Sequence, residues 1–100
     1  MRIIKFRSWN KRENKMNIPD NFANDIDGDK YQIMQYTGLK DKKGKEIYEG
    51  DILASGESQF VVKYRNNFGA YMCGLNFLAH MVKGNFKVIG NIMENKELLK

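Results

Sequence analysis

The chain has 100 residues, with one tryptophan, one cysteine, one histidine and a net charge of +5, a size that points to a single domain with a modest core. Hydrophobic residues make up 42% of it and aromatic residues 12%, which argues against a disordered chain. A lone Cys73 excludes an internal disulfide framework and fits a small buried side chain in a reducing compartment. No apolar run reaches the roughly 18 residues of a membrane span. The opening stretch MRIIKFRSWNKRENK lacks the apolar centre of a secretory signal, so a cytoplasmic location is expected. Within the first fifteen residues, Arg2, Lys5, Arg7, Lys11, Arg12 and Lys15 face Glu13 alone, an excess equal to the whole net charge. Such a basic end meets phosphate or an acidic protein, or simply keeps a small protein soluble, and we favour the second.

In chain order, Arg2 to Trp9 reads as a strand with Ile4 and Phe6 facing inward and Lys5, Arg7 and Trp9 outward. An outward Trp9 beside two cations would stack a base next to phosphate contacts; an inward Trp9 packs on the core, which we favour. Asn10 to Lys15 is a polar hairpin tip, with Met16 and Ile18 on the return. The stretch from Asn17 to Lys30 is the least structured, anchored by Phe22 and Ile26 beside Pro19. Asp25 to Asp29 superficially suggests a calcium loop, but Lys30 and Tyr36 stand where such a loop needs Gly and Glu. Asp27-Gly28 is better read as a tight turn, and no metal is expected.

Tyr31 to Thr37 is rich in β-branched and aromatic residues and predicts a strand that Gly38 breaks. Asp41-Lys42-Lys43-Gly44 then reverses the chain, Ile47 and Tyr48 form a short return arm, and Glu49-Gly50-Asp51 is a second turn leading into Ile52 and Leu53. Two reversals so close together imply antiparallel β structure. Ala54 to Ser58 is a short loop, and Gln59 to Tyr64 alternates with Phe60, Val62 and Tyr64 on one side. Asn66 to Gly69 is a hairpin turn into a partner strand over Ala70 to Leu75, interrupted by Gly74. Asn76 to Val82 fits both a helical and a strand spacing and is read as irregular and extended. Phe86 to Ile92 is a final strand, and Glu94 to Leu99 a single helical turn. Tyr36, Tyr48, Tyr64 and Phe86 are expected to fill the core.

The predicted fold is mainly β: a small antiparallel SH3-like barrel or strongly bent sheet over residues 31–93, preceded by an N-terminal β-hairpin and loop within residues 1–30 and closed by a C-terminal helical turn over 94–100.

Met34-Gln35-Tyr36-Thr37-Gly38-Leu39-Lys40-Asp41 and Gly44-Lys45-Glu46-Ile47-Tyr48-Glu49-Gly50-Asp51-Ile52 resemble the YopX family of bacteriophage and prophage proteins. Ile4 to Arg7 with Trp9 is similar to the family's opening, and Val88 to Ile92 with Glu94-Asn95 and Glu97 to Leu99 to its closing. The resemblance implies a single domain of that family, a phage or integrated-prophage origin in a bacterial host and a predominantly β fold. It implies no activity, and so no functional residues. The chain is shorter than is usual in the family, the missing length falling between Phe6 and Tyr31 and between Leu53 and Phe86.

No catalytic pattern emerges. A zinc site needs about four Cys or His ligands, and only Cys73 and His80 exist. Ser8, Ser55 and Ser58 stand in no nucleophile motif. No phosphate loop or dinucleotide fingerprint is present, and the turn role of Glu49 and Asp51 accounts for that carboxylate pair. The leading expectation is therefore a non-enzymatic accessory protein without cofactor, a small binding module for a host or phage protein in the host bacterial cytoplasm, self-associating through exposed β edges. The alternative is nucleic-acid binding, and a third reading is a counter-defence protein that holds a host effector or signalling nucleotide. The candidate contact residues are Lys5, Arg7 and Trp9, with Lys63 and Arg65 flanking Tyr64.

Overall fold

A computed structural model describes residues 4–17 and 31–98. The expectations for Arg2, Ile18, Pro19, Phe22, Ile26, the turn at 25–29 and Leu99 lie outside them. Two antiparallel sheets form the body. The first has the order β2-β1-β3-β4, from β1 (Phe6–Asn10), β2 (Lys15–Asn17), β3 (Tyr31–Lys40) and β4 (Glu46–Tyr48). The second has the order β8-β7-β6-β5-β9, from β5 (Asp51–Ser55), β6 (Ser58–Arg65), β7 (Ala70–Cys73), β8 (Asn76–Phe77) and β9 (Lys87–Asn91). One helical turn, α1 (Leu78–Met81), precedes β9, and a 3-10 turn, Lys96–Leu98, follows it. The mainly β, antiparallel expectation and the C-terminal turn are borne out.

The two central reversals carry their own chemistry. Asp41 closes the first: its Oδ1 accepts the N–H groups of Lys43 and Lys45, both at 2.9 Å, and its Oδ2 accepts that of Val88 at 2.9 Å. One buried carboxylate thus holds the turn together and ties it to β9. At the second reversal Gly50 takes φ +84°, and a Cβ there would lie 3.1 Å from Met34 Sδ. Its N–H donates to the Val62 carbonyl and its carbonyl accepts from Ile92, each at 2.9 Å. That position favours glycine on both counts.

Three expectations need correction. Gly38 does not end the strand: β3 runs through it with a shift of register between Tyr36 and Lys40. Thr37 bridges the irregularity, its hydroxyl donating to the Ile47 carbonyl at 2.8 Å and accepting from Leu39 N–H. Asn76 to Val82 is not simply extended; after two strand residues, Leu78 and Met81 form α1 and both are buried. The helical spacing was partly right, but Leu75 is 91% exposed. Tyr64 is exposed, while Tyr36 and Tyr48 are buried and Phe86 packs against the core.

The main apolar cluster joins Ile47, Leu53, Val62, Cys73, Leu78 and Met81, with Leu39, Phe60, Tyr71 and Val88 packed on it. Burial pushes the Cys73 thiol up to about 11. At the end of β9, Asn91 Oδ1 accepts the N–H groups of Met93 and Glu94, and Asn95 folds back so that its Oδ1 accepts from Asn91 N–H. A Cβ on Gly90 would lie 2.7 Å from Asn95 Cγ, so the glycine leaves room for that fold-back.

Candidate binding surface

The structure separates the five candidate residues. Trp9 packs inward, as favoured, but the outward expectation for Arg7 and the inward one for Ile4 fail: Arg7 and Trp9 are each only 8% exposed and Ile4 64%, and both faces of β1 are buried. β1 lies between β2 and β3, with Arg7 opposite Met34 and Trp9 opposite Gln32 and Met16. Arg7 turns inward because a carboxylate waits there. Its Nη2 donates to Asp51 Oδ1 at 2.7 Å and to the Glu49 carbonyl at 3.2 Å, and its guanidinium lies 4.7 Å from the centre of the Tyr48 ring. Asp51 Oδ2 in turn accepts the Tyr48 N–H at 2.8 Å. Burial pushes the Asp51 carboxyl above its ordinary value, against the pull of Arg7 and of the Tyr48 N–H, and burial raises the Tyr48 hydroxyl as well. This interior pair joins the first sheet to the second.

Lys5 is half-buried, ion-paired to Glu46 and 4.9 Å from the centre of the Tyr36 ring. The hydrogen bond to Glu46 raises the Lys5 ammonium above its ordinary value. Tyr36 and Tyr48 are themselves 5.4 Å apart, so the two cations stand over neighbouring rings. Of the N-terminal triad, Arg7 and Trp9 belong to the interior and Lys5 is occupied by Glu46.

Lys63 and Arg65 are exposed on β6, where strand alternation sends them to the face opposite Tyr64. They do not flank a single outward ring. What gathers instead is a groove of mixed polar and apolar lining beside the tip of the β6–β7 hairpin, about 400 Å³ in volume. Tyr64 and Tyr71 line it from one face, their rings 5.2 Å apart. Ala70 and Phe77 line it from the face that carries Lys63 and Arg65. Leu39 and Leu78 form its floor. Phe68 stands over Phe77 at 5.9 Å, and both are about half exposed, at 54% and 47%. Leu75, in the turn between β7 and β8, is almost wholly in water. No carboxylate lines the groove. β8, two residues long, forms the edge of its sheet here.

The sequence reading missed this grouping because Phe68 lies in a turn, Phe77 in an ambiguous segment and Tyr64 was assigned to the core. The one available signal was a hairpin turn carrying a phenylalanine, Asn66-Asn67-Phe68-Gly69, where polar residues are usual. Among the described residues no group of three or more His, Cys, Asp or Glu side chains could hold a metal ion, and no helix there is long and apolar enough to cross a membrane.

Comparison with known proteins agrees with this architecture. The model of the YopX protein family matches residues 17–100. The fold is similar to that in the crystal structure of protein EF1440 from Enterococcus faecalis, at 30% sequence identity and a TM-score of 0.75, with all of both chains covered. No curated protein matches.

Proposed function

We propose that this chain, which belongs to the YopX family, is a non-enzymatic phage or prophage accessory protein that works by binding another protein through the hairpin-tip groove. The observation that carries this reading is the set of large aromatic side chains left half in water there, Tyr64, Phe68 and Phe77. Grouped exposure of that kind on a small protein marks an interaction site. The occupant is an extended partner segment. It pairs with the open edge of β8, sets an aromatic or large aliphatic anchor between Tyr71 and Phe77, and places acidic residues near Lys63 and Arg65. The alternative, nucleic acid on the N-terminal strand, is weakened by the burial of Arg7 and Trp9 and by the pairing of Lys5 with Glu46.

The test compares wild type with the double variant Phe68→Ser, Phe77→Ser, both shown to be folded by circular dichroism, as bait in host lysate. The reading expects specific protein partners retained by wild type, lost by the groove variant, and still held by Lys11→Glu. Partners retained equally by the groove variant would rule out the groove as the contact.

A further inference from the structure

β9 ends the second sheet, and a sheet edge ordinarily offers its unpaired N–H and C=O groups to any extended chain that reaches it. In an antiparallel ladder the two groups of one residue point to the same side, and alternate residues point to opposite sides. Val88 lies opposite Leu53 of β5, yet its N–H donates to Asp41 Oδ2 at 2.9 Å, so its polar groups face away from the sheet. Two residues earlier, the Phe86 carbonyl accepts from Lys42 N–H at the longer distance of 3.5 Å. The β3–β4 turn thus meets this edge with one acceptor and one donor, as a neighbouring strand would. Beyond the shift in register, Asn91 also turns outward. Its N–H donates to Asn95 Oδ1 at 3.1 Å, and its carbonyl accepts from Asn95 N–H at 2.8 Å. The outward groups at both ends of β9 are therefore taken by other parts of the same chain. Lys42 is pinned over this edge by its ammonium, which donates to Asn85 Oδ1 at 2.9 Å, and Lys43 and Lys87 stand exposed alongside.

We propose that Asp41, Lys42 and Asn95 guard β9 against pairing with a second copy of this chain. Covering an edge with a loop and setting lysines along it are two devices by which sheets avoid joining edge to edge, and β9 has both. A strand arriving here finds the acceptor at Phe86 and the donors at Val88 and Asn91 already engaged. It must displace those bonds before it can form its own, which removes most of the gain from pairing. A copy docking about a two-fold axis would also bring its own Lys42, Lys43 and Lys87 against the same three residues, and like charges at short range repel. The guard confines strand docking on the second sheet to its other edge, β8. That choice of edge rests on the groove reading; the guard on β9 does not.

Light scattering of the full chain over a range of concentrations tests this with Asp41→Ala and Asn95→Ala, alone and together. Each is made with and without Phe77→Lys, which blocks pairing at β8, and each is checked for folding by circular dichroism. Asn95→Ala leaves the β3–β4 turn whole and carries the test if Asp41→Ala does not fold. Arg7→Met with Phe77→Lys is the control, since it weakens the fold without touching β9. The expected result is a monomer mass at every concentration for Phe77→Lys alone and for the control, and a mass that rises with concentration in the guard variants carrying Phe77→Lys. Amide exchange at Val88 and Asn91 should quicken by roughly tenfold in dilute guard variants and slow again as concentration rises, which puts the new contact on β9. Folded guard variants that stay monomeric throughout, or a control that associates equally, would overturn the proposal. So would association seen only where Phe77 is kept, because the pairing would then run through β8. Failure of the groove reading shows in the lysate test and leaves these masses unchanged.

Discussion

Two buried carboxylates in this small protein are treated in opposite ways. Burial pushes Asp41 upward, but the N–H groups of Val88, Lys45 and Lys43 outweigh it and hold the carboxyl below its ordinary value. Asp51 has a cation beside it and is still raised, because it lies deeper. The sign for Asp41 follows from linkage. Its stabilisation is fully present above the unfolded carboxylate value of about 4 and is lost as pH falls through the lower folded value. Asp41→Asn keeps one acceptor oxygen and replaces the other with a donor facing an N–H. It should cost about 1–3 kcal/mol in urea denaturation at neutral pH, and the gap from wild type should narrow on acidification. A cost that stays constant down to the acid limit would mean the charge on Asp41 contributes nothing.

At the scale of elements, legibility followed the distance over which the deciding contacts act. The reversals at Asp41 and Gly50 were readable because their chemistry is local: an acid beside the amides it caps, and a glycine where φ is positive. The face of β1 was not readable. Alternation of charge with apolar residues points Arg7 to water, and only Asp51, 44 positions away, reverses it. Similarly, the short helix at Leu78 depends on the core that receives Leu78 and Met81, not on its own propensity. The groove residues were individually visible, but nothing local gathers Phe68 and Phe77. Trp9 supplies a direct probe of the element it sits on. Arg7→Met leaves Asp51 buried without its cation and should destabilise the fold by about 3–5 kcal/mol. Loss of Trp9 fluorescence shielding in urea would report this, and Arg7→Met with Asp51→Asn should recover part of the loss. A variant Arg7→Met as stable as wild type would show that the pair is dispensable.

For the molecule as a whole, the excess positive charge lies in the first fifteen residues. The lysines of the turn at 40–45 add nothing to that excess, because acids elsewhere in the chain cancel them. The two-sheet arrangement leaves β2 and β4 at the edges of one sheet and β8 and β9 at the edges of the other. The edge at β8 adjoins the hairpin-tip groove and the half-exposed Phe77, so pairing between copies there is expected at high protein concentration. Light scattering should then give a mass rising above 11.7 kDa as concentration increases, and Phe77→Lys should return it to the monomer value. A strict monomer at every concentration would remove self-association from the account.

The bond between Arg7 and Asp51 also constrains how this protein is made. On the ribosome, β1 meets its strand partners β2 and β3 before the turn that receives its guanidinium, and until then its inward cation has no counter-charge. Little of the first sheet can mature while synthesis continues. The protein should acquire its shape in one late step, with its opening residues held available to chaperones or to premature partners until the middle of the chain arrives.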